Sequence, residues 1–283
     1  MKLIFITILL FPVIVLAQNN KPYTAEDIVN LIKKQVTCEW ADKTVDTFKA
    51  GDPKTEVTGI VSCMFADMKT LKKAADLNCN LIITHEPVFY NHLDETSMFK
   101  DDPVYIEKQK FINDNNLVVF RFHDHIHRTK PDGIYEGMIN KLGWKKYSVN
   151  GSLRKFKIPE TNIAQFTKNI KETLKLETVR IIGNTDMNFT SVVFAAGAPG
   201  GQSHIRTLRD KNVEVLVAGE APEWETYLYA NDAVTQGKNK AVIFLGHIRS
   251  EEAGMEYCAE WLKGFVKEIP IQFIENELNF TNL

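Results

Sequence analysis

Asn80-Leu81-Ile82-Ile83-Thr84-His85-Glu86-Pro87 is a short apolar run, of strand length rather than helix length, that stops on two side chains able to bind metal. The same grammar recurs twice. Leu117–Phe122 (LVVFRF) runs into His123-Asp124-His125-Ile126-His127, and residues 241–246 (AVIFLG) run into His247-Ile248-Arg249-Ser250-Glu251. Five of the seven histidines therefore stand just past the end of a buried strand. An open α/β sheet gathers side chains from different strands at that edge, outside their carboxyl ends. Imidazoles and carboxylates collected there point to a metal site.

Working outward, strands alternate with helical stretches. Thr24-Ala-Glu-Asp caps a helix through Lys34, with acids in its first turn. Residues 57–65 read as a strand, 68–77 as a helix, 104–115 as a helix and 134–142 as a helix. Beyond a turn-rich stretch, Arg128 to Gly133, come a strand over 153–158, a helix over 163–174, and strands over 178–182, 191–195 and 213–217. A helix over 250–267 and a strand over 271–274 close the chain. This order predicts βαβ units and mostly parallel sheets flanked by helices. The expected division is a first lobe of 18–130 plus 235–283, carrying the metal site, and a second lobe of 131–234.

Lys2 followed by an apolar run to Leu16, then Ala17 and the polar Gln18-Asn19-Asn20, is the pattern of a signal peptide, residues 1–17. The run is shorter than the roughly 20 residues of a membrane span. The mature protein is therefore expected to be exported, periplasmic or secreted. With 34 basic against 36 acidic residues and a net charge of -2, the chain lacks the basic footprint of a general nucleic-acid binder. Export permits disulfides among Cys38, Cys63, Cys79 and Cys258, but no CxxC spacing is present and buried free thiols are expected.

Imidazole nitrogen with carboxylate oxygen suits zinc, iron, manganese or nickel. His247 and Glu251 are four apart, so a helix starting at Gly246 sets both on one face. A carboxylate shared among several imidazoles can hold two divalent cations about 3.5 to 4 Å apart, the spacing of hydrolytic two-metal sites. Each motif also suits a structural role by itself. The alternate spacing of His123, His125 and His127 would put all three on one face of an exposed strand edge. His92 and His204 read as surface residues. Trp144, Trp224 and Trp261 read as packing residues, with Trp224 also placed to line the site. Gly197 to Gly201 could cradle a small anion on backbone N–H groups, without the Lys-Ser/Thr ending of a P-loop.

The series LIITHEP, a histidine motif after the next strand, AAGAPGG, VLVAGE and GHIRSEEAGM, in that order, resembles the NIF-three-like family of dinuclear-metal proteins. Some members carry the name of a second type of GTP cyclohydrolase I. The resemblance implies a two-lobed α/β fold, often a hexameric toroid and here a homo-oligomer, with two divalent metal ions per subunit. By motif, His85 stands for the first histidine of the family's LIITHHP and Glu86 replaces the second. His247 and Glu251 match the closing GHxxSE motif, and Glu220 matches the acid of the TGE-like loop. The family's HxxxD appears here as His123 and His127, so one imidazole and one carboxylate have exchanged places.

The resulting expectation is an exported metal-dependent hydrolase acting on a small molecule. His85, Glu86, His127, His247 and Glu251 hold the cations, and His123 is a further ligand or a partner just behind them. Glu220 or Asp124 moves the proton. The alternatives are a metal-binding or scaffold protein without turnover, and a regulatory protein that binds a small anion at the glycine loop.

Overall fold

The computed structural model describes residues 22–281, and the expected signal peptide lies outside them. Among the described residues no helix is long and apolar enough to cross a membrane. Thr24 Oγ1 accepts the Asp27 N–H at 3.2 Å while Asp27 Oδ2 accepts the Thr24 N–H at 3.0 Å, so the first helix begins with reciprocal capping. In chain order the elements are α1 (Ala25–Gln35), β1 (Phe48–Ala50), β2 (Ile60–Cys63), α2 (Met68–Asp76), β3 (Leu81–Thr84), α3 (Pro103–Asp114), β4 (Val118–Arg121), α4 (Asp124–Arg128) and α5 (Gly133–Leu142). Then follow β5 (Lys155–Asn162), α6 (Ile163–Leu174), β6 (Arg180–Ile182), β7 (Asn188–Ala195), α7 (Gly201–Arg209), β8 (Val215–Ala218), α8 (Leu228–Thr235), β9 (Ala241–Phe244), α9 (His247–Lys263) and β10 (Ile271–Ile274).

Among the described residues these strands form two five-stranded sheets, ordered β1-β4-β3-β2-β10 and β5-β7-β8-β9-β6. In the first, β4, β3, β2 and β10 run parallel and β1 closes one edge antiparallel. In the second, β7, β8 and β9 run parallel between antiparallel edges β5 and β6. Every residue of β2, β3, β4 and β8 is buried, the signature of parallel strands covered on both faces. Ala241–Phe244, which the expected lobe boundary at 235 puts in the first lobe, pairs with β8 in the second sheet. The chain returns to the first sheet only through α9.

The helices α5 and α9 form the layer that joins the two sheets. Met255, Cys258, Ala259 and Leu262 of α9 enter the core of the first sheet, together with Ile134 of α5. Tyr135, Met138 and Ile139 of α5 enter the core of the second, with Ala253 against it. Glycine permits this approach: a Cβ on Gly137 would stand 2.3 Å from the Ala253 carbonyl oxygen, and one on Gly254 would stand 2.4 Å from Ile134 Cα. The link to the first sheet is also polar, since Ser62 Oγ donates to the Met255 carbonyl at 2.7 Å.

Several features differ from the sequence reading. The stretch His123–His127 is a helical turn rather than a strand edge. α7 escapes notice because its inward positions are Gly201, His204 and Leu208, so only one is a large apolar residue. His204 is accordingly buried, its Nδ1 3.1 Å from Thr226 Oγ1, and not a surface residue. Trp144 packs between Phe156 and Phe166, and Trp261 stacks on Phe122. Trp224 is instead 77% exposed, in the π-helical turn Glu223–Tyr227 before α8. All four cysteines are free thiols.

Candidate metal centre

Three strand ends deliver the side chains. β3 ends at Thr84 and hands on His85 and Glu86, both buried. β4 ends at Arg121 and leads through Phe122 to His123 and α4. β9 leads to Gly246, whose φ of +83° suits glycine and turns the chain into α9. His247 and Glu251 then lie one helical turn apart, with His247 Nε2 3.1 Å from Glu251 Oε2.

The short α4 is held by a residue remote in sequence. Asp46 Oδ1 accepts the N–H groups of His123 at 2.7 Å and Asp124 at 2.8 Å, and Oδ2 accepts that of His125 at 2.8 Å. Asp46 thus satisfies the open donors of the helix start. His125 turns away from the site: Nδ1 lies 2.6 Å from Asp46 Oδ2, Nε2 accepts the Ala41 N–H at 3.0 Å, and the ring stacks on Trp40. His123 and His127, four apart on the turn, face the other way, their rings 5.3 Å apart.

Four imidazoles share one arrangement. His85 Nδ1 lies 3.2 Å from the Phe122 carbonyl, His123 Nδ1 lies 3.1 Å from Asp124 Oδ1, and His127 Nδ1 lies 3.2 Å from both Asp132 oxygens. His247 Nδ1 lies 3.4 Å from Glu220 Oε1. In each case Nδ1 faces an oxygen acceptor, leaving Nε2 to point inward, the usual setting of a metal-binding histidine. The inward atoms converge on two carboxylates. Glu86 Oε1 is 3.0 Å from His247 Nε2 and 3.8 Å from His123 Nε2. Glu251 Oε2 is 3.6 Å from His85 Nε2, and its Oε1 is 3.8 Å from His127 Nε2.

Behind Glu86 stands Arg121, fully buried in β4. Its Nε donates to the His85 carbonyl at 3.2 Å and its Nη1 to the His92 carbonyl at 2.5 Å. Its Nη2 reaches Glu86 Oε2 at 3.5 Å, which leaves Oε1 to face the histidines. Asp94 balances the guanidinium at 3.6 Å and is itself held by the N–H groups of Val88 and Phe89.

The donor set fits a cation. His85 Nε2 is buried without a hydrogen-bond partner among the described residues, and Glu251 Oε2, though 3.1 Å from His247 Nε2, makes no well-aligned hydrogen bond, although burying a polar atom unpaired is costly. Two overlapping groups, His85-His123-His127 and His85-Glu86-Glu251, each bring their donor atoms within 4.8 Å of one another and could hold a metal ion. Electrostatics agree. Burial and the charges of His123 and His127 hold the His85 ring well below its usual range, so it stays neutral with a lone pair facing inward. Burial opposes a proton on His247, but Glu251 and Glu86 outweigh it and push the ring up to about 10. The two carboxylates thus create a strong local demand for positive charge.

Asp124 and Glu220 lie just outside this ring of donors. Burial would raise the Asp124 carboxyl, but hydrogen bonds from Thr44, His123 and the Val45 N–H hold it down at about 2. Glu220, at His247 Nδ1, is 58% exposed at the rim. The glycine loop supports the centre by close approach: Gly197 has φ +65°, and a Cβ there would stand 2.3 Å from Glu251 Oε1. At the loop's far end a Cβ on Gly201 would meet the Glu225 carboxylate at 2.2 Å, so an acid covers that backbone.

Sequence reasoning overlooked Arg121, Asp46 and Asp132. Arg121 left a trace, a charge inside the apolar run LVVFRF, which requires a buried partner. Asp46 and Asp132 left none, because acids in polar stretches are commonplace.

Two parallel-centred sheets joined by a helix pair, with imidazoles and carboxylates gathered at their strand ends, define an α/β protein with a candidate metal centre. The chain belongs to the Duf34/NIF3 (NGG1p interacting factor 3) family, whose model matches residues 23–279. A Clostridium acetobutylicum protein named GTP cyclohydrolase 1 type 2 homolog is 26% identical over 233 residues, covering 78% of this chain and 82% of its own. A Chlamydia trachomatis protein of the same name is 18% identical, covering 84% and 92%. Among solved structures, a Staphylococcus aureus hypothetical protein superposes with a TM-score of 0.71 at 17% identity, covering 93% of this chain and 100% of that one. A Bacillus cereus protein related to NIF3 gives 0.68 at 14%, with the same coverage. At these identities the structures establish the shared fold.

Proposed function

We propose that the protein is an exported hydrolase that works with two divalent cations, drawn from zinc, iron, manganese and nickel, on a small molecule. The observation that carries this reading is the convergence of four Nε2 atoms on Glu86 and Glu251, each ring facing an oxygen acceptor through Nδ1. His85, His123, His127, His247, Glu86 and Glu251 would hold the pair, with the carboxylates shared among the imidazoles. When bound, such cations supply Lewis-acid polarisation and acidify water.

The chain's own groups do the rest. Asp124 and Asp132 fix the rings of His123 and His127. Arg121 turns Glu86 inward. Glu220, half-exposed beside His247, is the carboxylate placed to take up a proton at the rim and release it to solvent. Asp124, held down at about 2 and already engaged by Thr44 and His123, serves orientation better than proton transfer. GTP is a substrate of the cell interior, so the name carried by the relatives does not fit the export suggested by residues 1–17.

The test is metal content per subunit of the purified mature protein, for wild type and His247→Ala, followed by a hydrolase screen with each cation. About two metals in wild type, fewer in the variant, and a hydrolytic activity abolished by His247→Ala with Glu251→Ala support the reading. Activity unchanged in that double variant overturns it. Two metals without any turnover would assign the protein to metal binding or scaffolding.

A further inference from the structure

Arg154 is an exposed cation mounted beside the centre and not used by it. Its guanidinium lies over the Tyr135 ring, with Cζ 4.5 Å from the centroid. Tyr135 is buried, its hydroxyl accepts the Ala196 N–H at 3.1 Å, and its ring lies 6.4 Å from that of His127. Tyr135, fixed by burial and by its hydroxyl, is therefore a shelf next to both the metal-facing histidine and the guanidinium.

The backbone beneath this side chain is fixed as well. The N–H groups of Arg154 and Lys155 both donate to Ser152 Oγ at 3.1 Å, and the Arg154 carbonyl accepts the Phe194 N–H at 2.8 Å. Many other cations on this chain meet a carboxylate, as Arg121, Arg180 and Arg249 do. Among the described residues no carboxylate lies within 4.0 Å of the Arg154 guanidinium. A stacked guanidinium keeps its N–H edge free, and that fork matches the two oxygens of an acid group.

We propose that Arg154, seated on Tyr135 beside His127, binds an anionic group of the substrate, a phosphate or a carboxylate, and so selects acidic small molecules. The inference rests on the metal-centre reading for the chemistry done at the substrate's other end. The glycine loop is the poorer anion site, because Glu225 packs against Gly201.

The experiment is calorimetric titration of the metal-reconstituted protein with phenylphosphonate and, separately, benzoate. The proteins are wild type, Arg154→Ala, Arg154→Lys and, for a like change of charge on distant α6, Lys168→Ala. Metal content is measured on the same samples. The expected result is unchanged metal content in every variant and binding of at least one acid by wild type and Lys168→Ala. Binding should be tenfold or more weaker in Arg154→Ala and intermediate in Arg154→Lys, and the preferred acid distinguishes phosphate from carboxylate recognition. Equal affinity in wild type and Arg154→Ala, or no binding of either acid by wild type, overturns the inference and leaves the metal centre standing. Arg154-dependent binding by a protein that takes up no metal would uphold the anion site and remove the metal-centre reading.

Discussion

The Arg121 guanidinium, buried in β4, reaches the outer oxygen of Glu86 at 3.5 Å while the inner oxygen lies 3.0 Å from His247. One cation thus sets the orientation of a carboxylate in the centre without entering it. Removing one member of a buried ion pair leaves the other uncompensated, at about 3 to 5 kcal/mol. Arg121→Met should lower stability by about that much, read by denaturant unfolding, and weaken metal uptake, with Arg121→Lys between the two. A variant as stable and as fully loaded as wild type would show that Glu86 needs no such partner.

Gly197 tests the centre from the opposite side. Its φ of +65° and the 2.3 Å from a would-be Cβ to Glu251 Oε1 mean that Gly197→Ala must displace that carboxylate. The expected outcome is loss of bound metal with circular dichroism retained. Full metal content in this variant would contradict the close approach.

Metal uptake should release protons. With its ring pushed up to about 10, His247 carries a proton at pH 8 in the metal-free protein, and a cation must displace it. Titrating zinc into weakly buffered metal-free protein should acidify the solution at pH 8, and less so in His247→Ala. Equal acidification in both would assign the proton elsewhere.

The thiols predict an alkaline limit to stability. Burial pushes the Cys258 thiol up to about 12 and raises Cys63 and Cys79 as well. Since these thiols ionise near 9 in the unfolded chain, the folded state binds more protons above that pH. Stability should therefore be intact below pH 9 and fall as pH rises from about 9 toward 12. Chemical denaturation across that range checks the sign, and Cys258→Ala should flatten the slope. In the native protein at pH 8, Cys38 alone, half-buried, should react readily with iodoacetamide.

The joint between the sheets is equally specific. A methyl on Gly137 or Gly254 meets backbone atoms of the facing helix at 2.3 and 2.4 Å. Gly137→Ala and Gly254→Ala should each cost about 1 to 3 kcal/mol in unfolding free energy. A neutral result would mean that α5 and α9 separate without penalty.

The parts of the fold legible in the sequence were those with strong local signals. β3, β4 and β9 are apolar runs of strand length, and their histidines marked where the strands stop. α6 was readable to its ends, Ile163 and Leu174, because Ile163, Phe166, Ile170 and Leu174 recur on one face. For His123, His125 and His127 a strand edge stays open beside the metal-site reading, because alternation and a single helical turn are hard to distinguish over five residues. What separates them is Asp46, which caps the turn from 77 positions away along the chain. His204 misled for a related reason: a histidine occupying a core position erased the apolar period that would have revealed α7. Non-local hydrogen bonds carry the remaining information, and one chain read alone does not display them.

α9 begins where the second sheet ends and finishes beside the first, and its opening turn carries His247 and Glu251. The other four donors, His85, Glu86, His123 and His127, are anchored to β3 and β4. A cation held by both sets would act as a clasp between halves of the molecule that are otherwise joined by apolar packing and a few polar contacts. Loading and inter-sheet docking are then thermodynamically linked: to the extent that the separated halves hold the cation less tightly, its binding resists their separation. A mutation at the joint of α5 and α9, which replaces no donor, should therefore be felt as a leak of metal.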